Sequence, residues 1–565
     1  MNKTGMVRFI WIFLICLHGA AFAASGPATH GKNGMVASRS PIASQVGVDI
    51  MQQGGNAIDA AVAVGFAMAV TYPSAGNIGG GGFMVIRLES GEIHALDSRE
   101  TAPAGASRDM YLDEDGNPVK ELSRASHLAV GVPGSVDGLL VALERYGQLS
   151  REQVIAPAIK LAREGFPLPY DIVKQFERRI PSMQKYPASL NVFLNDGKPY
   201  QPGDIWKQPD LADTIERISK EGRDGFYKGK TADLLVEEMK RGGGLITYKD
   251  LADYRSKWRK PVKGSYRGYE IWSMPPPSSG GVLIVQMLNM MEPFSLGEMG
   301  WGSSSTMHLM VEAERRAYAD RAQHLGDPDF YKVPMAELTN KAYAKERFAD
   351  FDPDKASDSA DIGAGSWPEG GYETTHVSTA DSKGNAVAFT TTLNLGYGVK
   401  IVVPGAGFLL NNEMDDFSAK ADTPNAYGLL GRVANEIQPG KRMLSSMSPT
   451  IVTKDGKLAI VTGSPGGSTI ITTVLQVIMN VVDHGMSIND AVGLPRFHHQ
   501  WQPNRVMYEG PGFSADTLKA LESKGHKDVI KIGRFTLGDA NSIMVKDGEL
   551  QGMSDPRNAG GAAGY

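Results

Sequence analysis

The stretch Gly371–Asn394, GYETTHVSTADSKGNAVAFTTTLN, decides the fold because it predicts a β-hairpin with threonines at both ends. Two strand-forming runs flank the turn sequence DSKGN, and six threonines lie within the two runs. Threonine is a good strand residue, since its branched β-carbon fits a pleated surface. A threonine-rich edge strand is therefore one explanation of the pattern, and any chemical role has to be weighed against it.

The register of this hairpin brings two hydroxyl groups together. If Asp381–Asn385 forms the turn, counting outward along both strands places Thr374 opposite Thr392. Directly opposed residues share one face of a sheet, with β-carbons about 4.5–5.5 Å apart. A four-residue loop would instead place Leu393 opposite Thr374. The five-residue turn predicts that the two threonine hydroxyls touch.

Thr374 is a candidate nucleophile if it becomes a chain terminus. A threonine hydroxyl is weak without a base, and a free α-amino group, with a reference pKa of about 8, supplies one from the same residue. Cleavage between Glu373 and Thr374 would create that terminus. The preceding segment 352–370, DPDKASDSADIGAGSWPEG, predicts a mobile surface loop in which proteolysis or self-cleavage can operate.

The composition is that of a globular protein without nucleic-acid partners. The 565 residues are 42% hydrophobic and 21% charged, and a net charge of −5 is too small to indicate nucleic-acid binding. The chain exceeds one modal domain and shows no repeat array. Its single cysteine, Cys16, lies near the start, so the rest of the chain has no disulfide, thiolate metal site or cysteine nucleophile.

Residues 1–23, MNKTGMVRFIWIFLICLHGAAFA, predict a cleavable secretory signal peptide. They combine two basic residues, a short apolar run and a small-residue end. The apolar run at 60–70 is shorter than the roughly 20 residues of a membrane-spanning helix. Ile15 precedes Cys16 where a lipoprotein signal carries a small residue, so no lipid or membrane anchor is expected. Export without disulfides favours the periplasm or the outside of a bacterial cell.

Helices and strands alternate along the chain. Residues 54–70, GGNAIDAAVAVGFAMAV, predict a helix that is apolar nearly all round and therefore buried. Residues 305–321 carry apolar residues at helical spacing, with the serines Ser303 to Ser305 as candidate caps. The glycine cluster 79–82 leads into a predicted strand. Beyond the loop at 352–370 the sequence becomes rich in strands.

Ten motifs, dispersed along the chain in order, make it resemble the γ-glutamyltranspeptidases, N-terminal-nucleophile hydrolases that cut themselves into a large and a small subunit. The motifs are GGNAIDAAVAVGFAMAV, GNIGGGGFMV, LDSRETAPA, SMPPPSSGG, YETTHVS, LLNNEMDDFS, MLSSMSPTIV, GSPGGS, PRFHHQW and SDPRNAGGAAGY. The resemblance implies an α+β, four-layered αββα sandwich formed by both subunits. It divides the chain into the signal peptide 1–23, the large subunit 24–373 and the small, catalytic subunit 374–565.

The resemblance also implies the reaction. Thr374 is expected to attack the γ-amide of glutathione or a related γ-glutamyl compound, with Thr392 hydrogen-bonded to it. The γ-glutamyl ester then passes to water or to an amino acid or peptide acceptor. No cofactor and no metal are expected.

The γ-glutamyl group carries an α-carboxylate and an α-ammonium, so its pocket needs fixed charges of both signs. The resemblance assigns the carboxylate to Arg99, Ser445 and Ser446, and the ammonium to Glu413, Asp416 and Asn394. The planar fork of an arginine suits a carboxylate. Taken alone, LDSRE indicates a surface arginine, the serine pair a turn or helix cap, and NNEMDD a polar loop without the alternating ligands of a calcium site.

Two further features come from the resemblance. The backbone N–H groups of Gly466 and Gly467 are expected to form an oxyanion hole. Taken alone, GSPGGS is a structural turn, and it lacks the lysine of a phosphate-binding loop. Tyr427 is expected to belong to a lid loop that shields the pocket.

The histidines receive no catalytic role. His376 lies two residues beyond Thr374 on the same strand, and the amino terminus already supplies a base, so it is interpreted as structural. His498 and His499 are adjacent, so on a strand they point to opposite faces and are unsuited to sharing a metal.

Three rival interpretations share the fold. A glutaryl-cephalosporin-type acylase would use the same nucleophile on a side chain without an ammonium, and Asp416 argues against it. A non-catalytic periplasmic binding protein would remain one uncut chain. A membrane-attached capsule-processing transpeptidase is the third.

Overall fold

The computed structural model describes residues 26–362, 374–421, 423–533 and 536–565. The predicted signal peptide 1–23, the end of the predicted loop and Glu373 lie outside these ranges. Among the helices of the described residues, none has both the length and the apolar character needed to cross a membrane.

Two antiparallel seven-stranded sheets form the centre of the molecule. The first, here called the hairpin sheet, has the strand order Gly561–Gly564, Gly34–Ser38, Thr375–Asp381, Ala386–Thr392, Gly81–Arg87, Ile93–Ser98 and Lys257–Arg259. The second sheet has the order Thr29–Gly31, Glu549–Ser554, Asn541–Lys546, Lys457–Thr462, Thr450–Lys454, Tyr269–Ser273 and Val262–Tyr266. Small sheets are formed by Phe166–Pro167 with Ile205–Trp206, by Leu194–Asn195 with Lys198–Pro199, and by Phe497–His498, Val506–Tyr508 and Val529–Lys531.

Helices cover the outer face of each sheet. The helices are Pro41–Gln52, Ala57–Thr71, Lys120–Arg124, Ser135–Tyr146, Arg151–Glu164, Tyr170–Met183, Pro187–Phe193, Pro209–Glu221, Asp224–Tyr227, Gly229–Gly242, Tyr248–Asp253, Gly280–Met291, Leu296–Met299, Ser304–His324, Met335–Leu338, Lys341–Arg347, Thr469–Val482, Ile488–Gly493 and Ala515–Ser523. Ala57–Thr71 packs on the hairpin sheet, and Gly280–Met291 and Thr469–Val482 pack on the second. Small side chains such as Ala380 and Ala388 fill the space between the sheets. The predicted αββα sandwich is confirmed.

Two predicted helices form as their sequences require. In Ala57–Thr71 every residue is buried, and Asn56 and Asp59 form a reciprocal capping box at its start. Ser303 caps Ser304–His324 by accepting a hydrogen bond from the Thr306 amide. Both helices lie in the interior. Ala57–Thr71 accordingly has no polar face, and the charged residues of Ser304–His324 need buried partners.

The hairpin has the predicted five-residue turn. Ala380 pairs with Ala386 and Thr375 with Thr391, so the register that would bring Leu393 opposite Thr374 is wrong. The Asp381 carboxylate accepts hydrogen bonds from two amides of the turn, which fixes its length. Both strands lie in the interior of the hairpin sheet. The explanation of the threonines as an edge strand is therefore wrong as well.

Candidate active site

Thr374 lies immediately before the first strand of the hairpin, and its hydroxyl meets the partner that the register predicts. Its Oγ1 donates to Oγ1 of Thr392 at 3.4 Å, and both residues are buried. The amide of Asn394 donates to the same Thr392 oxygen at 2.8 Å. This second hydrogen bond orients the Thr392 hydroxyl and stabilises negative charge in the threonine pair.

Two cavities meet at Thr374. One, here called the charged pocket, has a volume of about 20 Å³, enough for about one water molecule. The other, here called the open cavity, has a volume of about 540 Å³. Of the residues predicted for the site, the charged pocket brings together Arg99, Thr374, Thr392, Asn394, Glu413, Asp416, Tyr427, Ser445, Ser446 and Gly467. Gly466 lines the open cavity instead.

Oppositely charged residues close the charged pocket on themselves. Arg99 donates through Nη2 to Asp416 at 2.6 Å and through Nη1 to Glu413, and its Nε donates to the Met443 carbonyl at 3.2 Å. Arg99 is 1% exposed. The resemblance assigns the substrate carboxylate to Arg99 and the ammonium to Glu413 and Asp416. In the structure these three residues form one ion-paired cluster, in which Arg99 pairs with both carboxylates. A zwitterionic ligand can replace both halves of this cluster without leaving a net buried charge.

Burial raises the pKa values of three acidic groups in and beside the charged pocket. It raises the pKa of Asp416 to about 6 and that of Glu100 to about 7, against the opposing effect of the Arg99 charge. The pKa of Glu413 is raised well above its ordinary value for the same reason. Within the described residues, Oε2 of Glu413 and both carboxylate oxygens of Glu100 have no hydrogen-bond partner. Of these two residues Glu413 lines the charged pocket, and its buried acceptor suits a cationic donor such as an ammonium group.

Asparagines fix the position of Asp416. The Asn425 side chain donates to Asp416 Oδ1 at 3.0 Å, while Arg99 holds Oδ2. The Asn435 side chain donates to the Asp416 backbone carbonyl at 2.7 Å. The 3₁₀ turn Glu413–Asp416 is thereby held at both the backbone and the side chain.

One of the two predicted serines, Ser446, contacts an arginine that the sequence did not reveal. Arg321 donates to Ser446 Oγ at 3.4 Å and to Ser279 Oγ at 2.9 Å, while Ser445 Oγ accepts from the Met447 amide. Arg321 is buried and forms no ion pair among the described residues, and burial lowers its pKa to about 10. It is a second cation for an anionic ligand. The only sequence signal was a charged residue inside a helix that has to be buried.

The turn at Gly466 and Gly467 presents two backbone donors. Their φ values are +136° and +55°, which glycine adopts without strain. A β-carbon at Gly467 would lie 2.3 Å from the Tyr427 ring. Neither amide donates a hydrogen bond to another of the described residues. Gly466 and Gly467 each line a cavity that Thr374 also lines, so their N–H groups are available to a ligand there.

Tyr427 covers the charged pocket. Its hydroxyl donates to the backbone carbonyl of Asn394 at 2.8 Å and also contacts the Asn394 side chain. Burial raises the pKa of Tyr427 well above 10, so the phenol stays a neutral donor. Tyr427 lines this pocket together with Thr374 and Thr392.

His376 has structural contacts, as predicted. Its ring hydrogen-bonds Thr390 at 2.8 Å and Ser378 at 3.1 Å, and it lines neither cavity. Burial lowers its pKa to about 3, so the imidazole stays neutral.

His498 and His499 line neither of the cavities at Thr374. Nδ1 of His498 pairs with Thr472, whereas Nδ1 of His499 accepts from the Trp501 amide, so the two rings are engaged separately. A different buried group, His308, Glu312 and His526, places possible metal-ligand atoms within 4.8 Å of one another. The Glu312 carboxylate already pairs with two arginines of its own helix, which leaves it little capacity for a cation.

A buried threonine at the start of a strand in an αββα sandwich, beside a pair of glycine amides, defines the class of N-terminal-nucleophile hydrolases. The family model of gamma-glutamyltranspeptidase matches residues 43–565. The chain belongs to this family. The Escherichia coli (strain K12) protein named glutathione hydrolase proenzyme is 51% identical, with 97% of each chain covered.

Two solved structures resemble the fold over large parts of the chain. A cephalosporin acylase from Bacillus halodurans matches with a TM-score of 0.86 at 28% identity, covering 98% of this chain and 99% of that one. A Helicobacter pylori gamma-glutamyltranspeptidase matches with a TM-score of 0.57 at 47% identity, covering 60% of this chain and 96% of that one. The higher sequence identity lies with the gamma-glutamyltranspeptidase and the higher coverage of this chain with the acylase.

Arg99→Lys is expected to weaken substrate binding while leaving maturation intact. Lysine keeps the charge but loses the fork that bridges Glu413 and Asp416. The KM for a γ-glutamyl donor should rise by about tenfold or more, the effect of losing one charge-assisted hydrogen bond. Steady-state kinetics measures this, and a denaturing gel follows maturation. Arg108→Lys, at an exposed arginine outside both cavities, is the control. An unchanged KM would remove Arg99 from substrate binding.

Proposed function

We propose that this chain is the precursor of a γ-glutamyltransferase that hydrolyses glutathione and related γ-glutamyl compounds and transfers the γ-glutamyl group to amino acid or peptide acceptors. The observation that carries the proposal is the contact of the Thr374 and Thr392 hydroxyls at a pocket lined by Arg99, Glu413 and Asp416. The threonine pair supplies a nucleophile, and the charges match the zwitterionic end of a γ-glutamyl group.

Maturation is proposed to begin with cleavage between Glu373 and Thr374 by the chain itself. Thr374 Oγ1 attacks the carbonyl carbon of Glu373, the bond to nitrogen breaks, and water releases the resulting ester. The products are a large subunit, 24–373, and a small subunit, 374–565, that remain together. They share one sandwich, since each of the two seven-stranded sheets contains strands from both parts.

Acylation follows from the freed terminus. The α-amino group of Thr374 accepts the hydroxyl proton, and Oγ1 attacks the γ-carbonyl carbon of the donor. The hydrogen bond with Thr392 orients Oγ1, and the amides of Gly466 and Gly467 stabilise the negative oxygen that develops. One such donor is typically worth about 2.7–4 kcal/mol of barrier. Collapse of the intermediate expels the amine, which takes the proton back, and leaves a γ-glutamyl ester.

Recognition of the donor is proposed to divide between the two sides of the charged pocket. Arg99, with Ser445, Ser446 and Arg321 beside it, holds the α-carboxylate. Asp416, Glu413 and the side chain of Asn394 hold the α-ammonium. When the ligand enters, it takes over the pairing that the protein charges make with each other, and Tyr427 closes over it.

The predicted signal peptide at 1–23 and the absence of cysteine from the rest of the chain support export to the periplasm or secretion. The charge of the pocket supports a γ-glutamyl donor over a glutaryl donor, which lacks the ammonium. A glutaryl-type acylase remains the second candidate, because an acylase structure shares the fold at a TM-score of 0.86.

Two donor substrates distinguish a γ-glutamyltransferase from a glutaryl-type acylase. The purified wild-type protein is expected to run as two bands on a denaturing gel and to hydrolyse γ-glutamyl p-nitroanilide at least about tenfold more efficiently than glutaryl p-nitroanilide. Measuring kcat/KM for each donor tests this. A preference for the glutaryl donor would favour the acylase. One uncut, inactive band would favour a non-catalytic binding protein.

A further inference from the structure

The open cavity, which Thr374 lines as it does the charged pocket, has no role in donor recognition as proposed above. Its volume of about 540 Å³ falls within the roughly 300–1,000 Å³ of small-ligand sites. Thr374 lines both cavities, Gly466 the open one and Gly467 the charged one. The nucleophile and the glycine turn therefore lie where the two cavities meet.

This position determines which part of a substrate reaches the open cavity, given the proposed function. With the γ-glutamyl group in the charged pocket and its carbonyl carbon at Thr374, the amine side of the scissile amide has to continue into the open cavity. An acceptor amine attacks the same carbon, and its approach is the reverse of the departure of the leaving amine. One cavity thus serves both the leaving group and the acceptor.

Six charged side chains line this cavity. They are Arg39, Asp171, Arg178, Arg179, Asp539 and Arg557. Arg557 is neutralised by ion pairs with Glu509 and Asp555. Nε of Arg39 lies 2.8 Å from the Asp539 carboxylate. These two arginines are therefore occupied by protein carboxylates.

Arg178 differs from Arg39 and Arg557 in that no protein carboxylate among the described residues pairs with it. It is exposed, on the helix Tyr170–Met183, and its Nε donates to the backbone carbonyl of Lys174 at 3.0 Å. That hydrogen bond anchors the side chain to its own helix. Among the described residues Arg178 has no ion-pair partner, so its two terminal nitrogens are available as a planar fork for a carboxylate.

We propose that the open cavity binds the amino acid or short peptide attached to the scissile nitrogen, and that Arg178 binds its free carboxylate. The inference rests on the proposed function and extends it to the acceptor. In transfer, the acceptor nitrogen forms a bond to the γ-carbonyl carbon and the bond from that carbon to Thr374 Oγ1 breaks. The proton lost by the amine passes through the Thr374 amino group to Oγ1. Arg178 positions the acceptor and takes no part in these steps.

Two acceptors that differ only in the carboxylate test this assignment. With γ-glutamyl p-nitroanilide as donor, kcat/KM for transfer is measured with glycylglycine and with glycylglycine amide. Wild type should prefer glycylglycine. In Arg178→Gln the ratio of the two values should fall by about fivefold to tenfold, an effect moderated by the exposure of the side chain. Arg178→Glu should lower the ratio further, because it repels the carboxylate.

Lys174→Gln is the matched control, since it removes one positive charge a helical turn earlier on the same helix, outside the cavity lining. It should leave the acceptor ratio as in wild type. An Arg178→Gln ratio equal to that of wild type, or equal losses with both acceptors, would overturn the assignment while donor hydrolysis still supports the proposed function. Failure of wild type to hydrolyse the anilide would instead overturn the proposed function and this inference with it.

Discussion

Thr374→Ala is expected to leave the purified protein as one uncut and inactive chain. The substitution removes the hydroxyl that attacks both the Glu373 carbonyl and the donor, and Thr392 loses its 3.4 Å partner because the alanine side chain ends at the β-carbon. Activity should fall by at least about 10⁴-fold, as when an enzyme loses its nucleophile. A denaturing gel follows cleavage, and release of p-nitroaniline follows turnover.

Thr375→Ala is the matched control for this loss. Thr375 is the next residue, its side chain points to the opposite face of the strand, and its Oγ1 has no hydrogen-bond partner among the described residues. This variant should still cut and turn over. Thr374→Ser should retain part of both activities, because a hydroxyl and an α-amino group are both present. Cleavage and turnover by Thr374→Ala would show that another residue is the nucleophile.

In Asp416→Asn, the charged pocket should lose most of its preference for γ-glutamyl donors over glutaryl donors. The change removes a buried charge at nearly constant volume, so the α-ammonium loses a charge-assisted hydrogen bond of about 1.5–3 kcal/mol. The kcat/KM for γ-glutamyl p-nitroanilide should therefore fall by roughly 10- to 150-fold. A glutaryl donor gains in relative terms, because it no longer faces an unpaired buried carboxylate.

The neighbouring Asp415 provides the comparison for this variant. Its carboxylate contacts Ser123 at 2.5 Å and Arg124 at 3.2 Å, and it does not line the charged pocket. Asp415→Asn should keep the parent preference between the two donors, whatever it does to stability. If Asp416→Asn kept that preference too, the ammonium would be bound elsewhere, with Glu413 the next candidate. Cleavage at Thr374 should proceed in both variants.

The hairpin could be predicted from the sequence because the residues that determine its turn and register are close together along the chain. DSKGN fixes the turn, and a period of two along each strand then determines that Thr374 faces Thr392. The buried helix Ala57–Thr71 follows from its composition in the same way. The arrangement of both sheets was reached only through resemblance, since seven-stranded pairing joins segments from opposite ends of the chain.

The closure of the charged pocket could not be predicted. LDSRE and NNEMDD each show charged residues, but only tertiary packing brings Arg99 within 2.6 Å of Asp416, over 300 residues away. Arg321 was missed for the same reason, since nothing local marks one arginine of a charged helix as the one that reaches Ser446. The open cavity is likewise assembled from distant segments, so Arg178 carries no signature in the sequence.

The most direct test of the central claim is to locate the γ-glutamyl group on the protein after rapid acid quenching with a γ-glutamyl donor. Intact mass spectrometry should show a small chain that begins at Thr374 and has gained the mass of one γ-glutamyl group, and peptide mapping should place that group on Thr374. A single uncut chain, or a γ-glutamyl group on any other residue of an active protein, would contradict the account.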